Sequence, residues 1–185
     1  MSELSIVHYP HPVLEKRAAP VTRITPEIQD FIARMCDIMH AHNGVGLAAP
    51  QVGISLRIIV VDVGEGPQAL LNPQIHLSEG IQEGTEGCLS FPRLYGEVTR
   101  AERVVVRAMN DAGHKVTLTG EGLWARAMQH EIDHLDGIVF TERVHPQTLF
   151  WMLEEVDANG EHLTRNTTMH AALHHFKRQA ALERA

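Results

Sequence analysis

Apolar residues recur every three or four positions between residues 28 and 39, as Ile28, Phe31, Ile32, Met35, Ile38 and Met39. That period predicts a helix that buries one face. Thr25-Pro26-Glu27 supplies its start: a capping hydroxyl, a proline in the first turn and an acid near the positive end of the dipole. Asn43-Gly44 supplies its stop. Over residues 57–63 the pattern changes to a run of Ile and Val, which reads as a strand. Shorter strands are expected at 69–71 and 75–77, and a longer one within 97–109, around Val104-Val105-Val106. Asn110-Asp111-Ala112-Gly113 reads as a turn and 115–119 as the returning strand. After the break at Gly120-Glu121-Gly122, a second helix is expected over about 123–135, with Gly137 just beyond it. A third is expected over about 147–156, and 161–184 carries only a weak helical pattern. Residues 1–24, with Pro10, Pro12 and Pro20, read as an irregular lead-in. No repeat or linker interrupts this order, so one α+β domain over 1–185 is expected.

Composition narrows the class. A chain of 185 residues with 44% hydrophobic and 21% charged content has enough material for one ordinary globular core. A net charge of −7 argues against a general nucleic-acid binder, and no specific DNA binding is expected. Cys36 and Cys88, with no secretory signal ahead of them, read as reduced thiols. Cys36, beside the apolar stripe of the first helix, reads as a small buried hydrophobe. Aliphatic runs such as 58–61 are too short to span a bilayer. A cytoplasmic protein with no membrane partner is expected.

Three short motifs carry the chemistry. In Gln129-His130-Glu131-Ile132-Asp133-His134, two histidines four apart share a helix face, where both can ligate one metal, and Glu131 beside them suits a base. This motif alone is not specific, since a solvated helix face has the same spacing. Leu123 and Ala127 lie 7 and 3 residues before His130 and continue an apolar stripe, which points the histidines inward. Cys88, in Glu86-Gly87-Cys88-Leu89-Ser90, is a candidate third ligand whose thiolate suits soft or borderline ions such as iron(II). In Gly44-Val45-Gly46-Leu47-Ala48-Ala49-Pro50-Gln51, the glycines let backbone approach a ligand closely and Gln51 offers an amide donor. A phosphate loop there is disfavoured, because no Lys-Ser/Thr follows. His170 and His174 repeat the four-residue spacing without a glutamate, and read as exposed histidines.

Taken together, and with Tyr9-Pro10, Pro12-Val13-Leu14, Asn72-Pro73, Tyr95-Gly96-Glu97-Val98 and Asp136-Gly137 around them, these motifs resemble the peptide deformylases of bacteria. The resemblance covers about residues 1–144, the core, and leaves a divergent tail over about 145–185. It implies mixed or antiparallel β-sheets around a central metal-binding helix, with one or more further helices at the C-terminal end. It implies Cys88, His130 and His134 as ligands of one divalent ion, iron(II), for which nickel, cobalt or zinc substitute, with water in the fourth place. It implies Glu131 as the base on that water and donor to the leaving amine, and Gln51 with the Leu89 backbone N–H as oxyanion donors. The implied substrate is an N-formyl-methionyl nascent peptide, releasing formate. Val45, Gly46, Leu123 and Ala127 would border the methionine side chain, and Gly46 with Gly87 would pair with the extended peptide. Arg126 is equally a pocket residue or a structural ion pair, Arg100 reads as structural, and Asp133 is either a partner of the ligands or a solvent-facing acid.

In the tail, residues 161–185 carry a formal +2 from Arg165, Lys177, Arg178 and Arg184 against Glu161 and Glu183. That reversal of sign permits a ribosome contact, and an ordinary amphipathic helix explains it equally well. Two other classes compete with the deformylase reading. A metallopeptidase shares His-Glu-x-x-His but has no need of Cys88 or Gln51, and a non-catalytic metal binder has no need of Glu131.

Overall fold

The computed structural model describes residues 4–183. Three helices and nine strands follow the lead-in: α1 (Pro26–Ala41), β1 (Gly46–Ala48), β2 (Ile58–Val61), β3 (Gln68–Glu79), β4 (Gln82–Cys88), β5 (Phe91–Arg100), β6 (Arg103–Met109), β7 (Lys115–Glu121), α2 (Gly122–Leu135), β8 (Phe150–Val156), β9 (His162–Asn166) and α3 (Met169–Leu182). They form two sheets, ordered β1-β2-β3-β6-β7 and β4-β5-β8-β9. Every ladder is antiparallel; the parallel element is a lone bridge from Ala19 to Leu56.

The Ile58-Ile59-Val60-Val61 run is apolar throughout because β2 is covered on both faces. Ile58 and Val60 pack with Ile32, Met35 and Met39 of α1. Ile59 and Val61 pack with Met128, Ile132 and Leu135 of α2. A third apolar group joins Phe91, Leu94 and Val98 of β5 to Tyr9, Phe140, Ala172 and Phe176. Helix α2 therefore runs between the sheets, and from Ala125 to Leu135 every residue but Asp133 is buried.

Four expectations are corrected. The helix expected over 147–156 is a short 3-10 turn followed by strand β8, because Phe150 and Trp151 find partners in Tyr95 and Leu94 of β5. Cross-strand pairing of aromatic residues outweighs a weak helical period. The segment from 161 onward divides into β9 and α3, with the Thr168 hydroxyl capping the Ala171 N–H. The strands expected at 69–71 and 75–77 are one strand, β3, whose register shifts across Asn72-Pro73 and again between Ile75 and Leu77. Asn72 adopts a positive φ of 52° and its amide bonds the backbone of Val21 in both directions. Finally, the strand expected within 97–109 is two strands, β5 and β6, and β4 ahead of them had no apolar run to announce it.

Candidate active site

A cavity of about 560 Å³ opens between the two sheets, lined from three directions. The β1 segment gives Gly44, Val45 and Gly46, with Gln51 behind; β4 and its turn give Thr85, Glu86, Gly87, Cys88 and Leu89; α2 gives Leu123, Arg126, Ala127, His130 and Glu131. Residues 85 positions apart in sequence are joined here because β1 and β4 are edge strands of different sheets and α2 lies beneath both.

Ligand atoms of Cys88, His130 and His134 all lie within 4.8 Å of one another. Cys88 Sγ is 3.2 Å from His134 Nε2, and the two imidazoles meet edge to face with centroids 5.0 Å apart. Glu86 accepts from His130 Nδ1 at 2.9 Å, which turns Nε2 inward. A thiolate and two imidazoles, buried and convergent, suit a borderline divalent ion, so the donor set fits a metal. Burial, reinforced by the neighbouring His130 and Arg100, lowers the His134 pKa well below its ordinary value and favours the neutral form that ligates.

The Gln51 side chain is fully buried, and its Oε1 accepts from the Ala48 N–H at 2.8 Å. That bond leaves Nε2 to point at Cys88 Sγ, 3.4 Å away. Glu131 is buried with no partner for Oε2 among the described residues. Burial pushes its carboxyl up to about 7. An unpaired buried carboxyl beside a metal set is an orphan that a reacting group can satisfy. Gly46 lines the cavity, and the space its missing Cβ would take is filled by the Glu131 carboxyl. A Cβ on Gly87 would likewise enter the Tyr95 ring.

Val45 and Leu123 are large apolar residues, 43% and 55% exposed, at this cavity rather than in the core, while Ala127 is buried in its wall. The stripe expected to run from Leu123 into the core thus begins at the cavity and becomes buried at Ala125.

Sequence reading missed the part played by Glu86. It accepts from Arg100 Nε and Nη2 at 2.9 and 3.0 Å, from Arg126 Nη1 at 2.8 Å, and from His130. Burial works to raise its pKa, but the hydrogen bonds from His130 and Arg100 outweigh it and hold the carboxyl far below the usual range. Two signals pointed to it: a ligating histidine needs a carboxylate or carbonyl on its other nitrogen, and Glu86 shares a strand face with Cys88. Arg126 is therefore an ion-pair partner of Glu86 as well as a cavity residue. Asp133 holds Arg100 and Arg143 and reaches no ligand directly. His170 and His174 are exposed on α3, away from these groups.

Residues 3–149 match the family model for polypeptide deformylase. The chain belongs to the peptide deformylase family. It is 50% identical over 143 residues to the peptide deformylase of Carboxydothermus hydrogenoformans, covering 77% of this chain and 94% of the relative. It is 49% identical over 146 residues to peptide deformylase 1 of Bacillus anthracis, covering 78% and 94%. Among solved structures, the Thermotoga maritima peptide deformylase superposes with a TM-score of 0.76 at 44% identity, covering 79% of this chain and all of that one. The Synechococcus elongatus enzyme in complex with actinonin gives 0.75 at 40%, covering 77% and 79%. The activity is hydrolytic removal of the N-formyl group from newly made polypeptides, and the Cys88, His130 and His134 set fits the family's metal site. The strands and helix after residue 149 lie beyond the family match. Among the described residues no helix is long and apolar enough to cross a membrane.

Proposed function

We propose that Cys88, His130 and His134 hold one iron(II) ion and that Glu131, Gln51 and Leu89 carry the deformylation. When bound, the ion supplies Lewis acidity that makes water a nucleophile near neutral pH. Glu131 Oε2 accepts the proton as water attacks the formyl carbon, then delivers it to the departing amine nitrogen. Gln51 Nε2 and the Leu89 N–H donate to the carbonyl oxygen as it gains charge. The C–N bond breaks, giving formate and a free N-terminus. Val45, Leu123 and Ala127 wall the methionine side chain, and the backbone at Gly46 and Gly87 pairs with the peptide as an added strand.

The observation that carries this reading is the convergence of a thiol, two imidazoles, an unpartnered buried carboxyl and an oriented amide on one cavity. We further propose that residues 1–185 form one domain, since β8 pairs with β5 and Phe176 packs on Phe91. We propose a cytoplasmic enzyme, in keeping with an oxygen-sensitive thiolate site. Exposed Arg165, Lys177 and Arg178 support a contact with ribosomal RNA.

The test is formate release from formyl-Met-Ala-Ser by protein purified without oxygen, with bound metal measured by elemental analysis. Iron at one equivalent and turnover lost in Glu131→Ala are expected. Equal turnover in that variant, or an equal rate on acetyl-Met-Ala-Ser, would refute the mechanism. For the ribosome, Arg165→Glu/Lys177→Glu/Arg178→Glu should abolish co-sedimentation, and unchanged co-sedimentation would remove this contact.

A further inference from the structure

Three described residues other than glycine have a positive φ, and two are asparagines, which tolerate it. The third is Arg93, at φ 66°, in the left-handed region where a long side chain is disfavoured. It stands in β5 just after Pro92, and both line the outer part of the cavity together with Ile6 and His8. Of the other charged groups lining the cavity, Arg126 is committed to Glu86, Glu86 also to Arg100 and His130, and Glu131 is buried beside the metal set. Arg93 is the permanent charge that remains, with its side chain 44% exposed.

Its present partner is informative. Arg93 Nη1 donates to Glu154 Oε1 at 2.6 Å, and Glu154 is 85% exposed on β8, beyond the family match. Among the described residues no other group holds this guanidinium. An exposed pair of this kind is weak, so a competing carboxylate can displace Glu154 at little cost. The neighbouring Tyr95 ring, also in the cavity lining, is stacked on Phe150 of β8 with centroids 5.8 Å apart. The hairpin of β8 and β9 thus backs the outer wall of the cleft and supplies an internal carboxylate to it.

Resting on the deformylase reading, we propose that Arg93 is a specificity-determining residue that binds an acidic side chain of the peptide downstream of formyl-methionine, with Glu154 as its internal competitor. Substrates bearing Asp or Glu at the third or fourth position exchange with Glu154 for the guanidinium. Neutral and basic peptides leave the pair intact.

The experiment compares formyl-Met-Ala-Glu-Ala and formyl-Met-Ala-Gln-Ala, and a pair with the acid one position later, all as C-terminal amides. Formyl-Met-Ala-Ser with and without its terminal amide runs alongside. The acidic peptide should be favoured roughly two- to fivefold in kcat/KM. The difference should reside in KM, because the contact is equal in ground and transition states, and should vanish in 0.5 M salt. Arg93→Gly, which suits the positive φ, should bring the ratio to one. Glu154→Gln, which removes the competitor, should raise it. Equal rates on the acidic and neutral peptides, a ratio that survives Arg93→Gly, or a ratio lowered by Glu154→Gln would each overturn the assignment. A preference confined to the free terminal carboxylate would overturn the side-chain reading. Failure to deformylate even the neutral peptide would overturn the deformylase reading with it, whereas turnover of both peptides at one rate would overturn the role of Arg93 alone.

Discussion

At the scale of the residue, small changes have sharply placed effects. Gly46→Ala adds one methyl group where the Glu131 carboxyl already sits. The fold has no need of glycine there for its backbone, so the expected result is a stable protein with a displaced base. Displacement of a reacting group by about 1 Å costs on the order of a hundredfold in rate. Wild-type kcat in Gly46→Ala would show that the Glu131 side chain can shift without loss. Glu86→Ala leaves Arg100, Arg126 and His130 without their shared buried carboxylate. Breaking such a buried pair costs roughly 3–5 kcal/mol, read by urea unfolding. Cys36 differs from Cys88 in being no part of the site. Burial, then the nearby Asp37 and Asp62, raise its pKa, so at pH 8 less of it is thiolate than in a free thiol. Alkylation mapped by peptide mass should be slower at Cys36 than for glutathione, and an equal rate would contradict the burial argument.

The elements differ in how plainly the sequence declares them. Helix α1 and strand β2 were legible because each carries a pattern set by its own burial, one face for α1 and two for β2. Helix α2 and its histidines were legible through spacing. Strand β4 was not, because Gln82-Glu83-Gly84-Thr85-Glu86-Gly87 holds almost no apolar residue: its inward face is polar machinery and its glycines clear room for Tyr95 and Arg126. Nor was β8, whose strand state depends on Leu94 and Tyr95 of β5, far earlier in the chain. The thiol and two imidazoles that converge here, and Gln51, stood in short motifs, while the clamp on Glu86 needed Arg100 and Arg126 brought from separate elements. The same dependence on distant partners makes α3 testable. Phe176 meets Phe91 edge to face at 5.3 Å and lies 5.6 Å from Trp151. Phe176→Ala should cost roughly 3–5 kcal/mol and lower one cooperative transition. An unchanged melting temperature would mean that α3 is an appendage rather than part of the core.

Across the whole molecule, the candidate site is a joint. Cys88 ends β4 in one sheet, while His130 and His134 ride on α2 against the other. An ion held by all three links the two halves of the fold, so it should stabilise the folded state over the unfolded. At a hundredfold excess over Kd the gain is roughly 3 kcal/mol. Chelation should therefore lower the melting temperature and abolish activity together, and re-addition of iron(II) without oxygen should restore both. Loss of activity with no thermal shift would place the ion elsewhere.

Tyr9 and Phe176 both rest on Phe91, with centroids at 5.0 and 5.3 Å. The order of synthesis gives that contact a meaning. The cluster that holds the ninth residue is completed only by the hundred-and-seventy-sixth, and β9, at the edge of the second sheet, also emerges late. A growing copy of this chain can assemble α1, β1 and β2 early, but it cannot close the wall behind the cleft while its last hairpin and helix are still unmade. The enzyme that trims growing chains is thus itself a chain whose cleft wall joins segments made far apart in time.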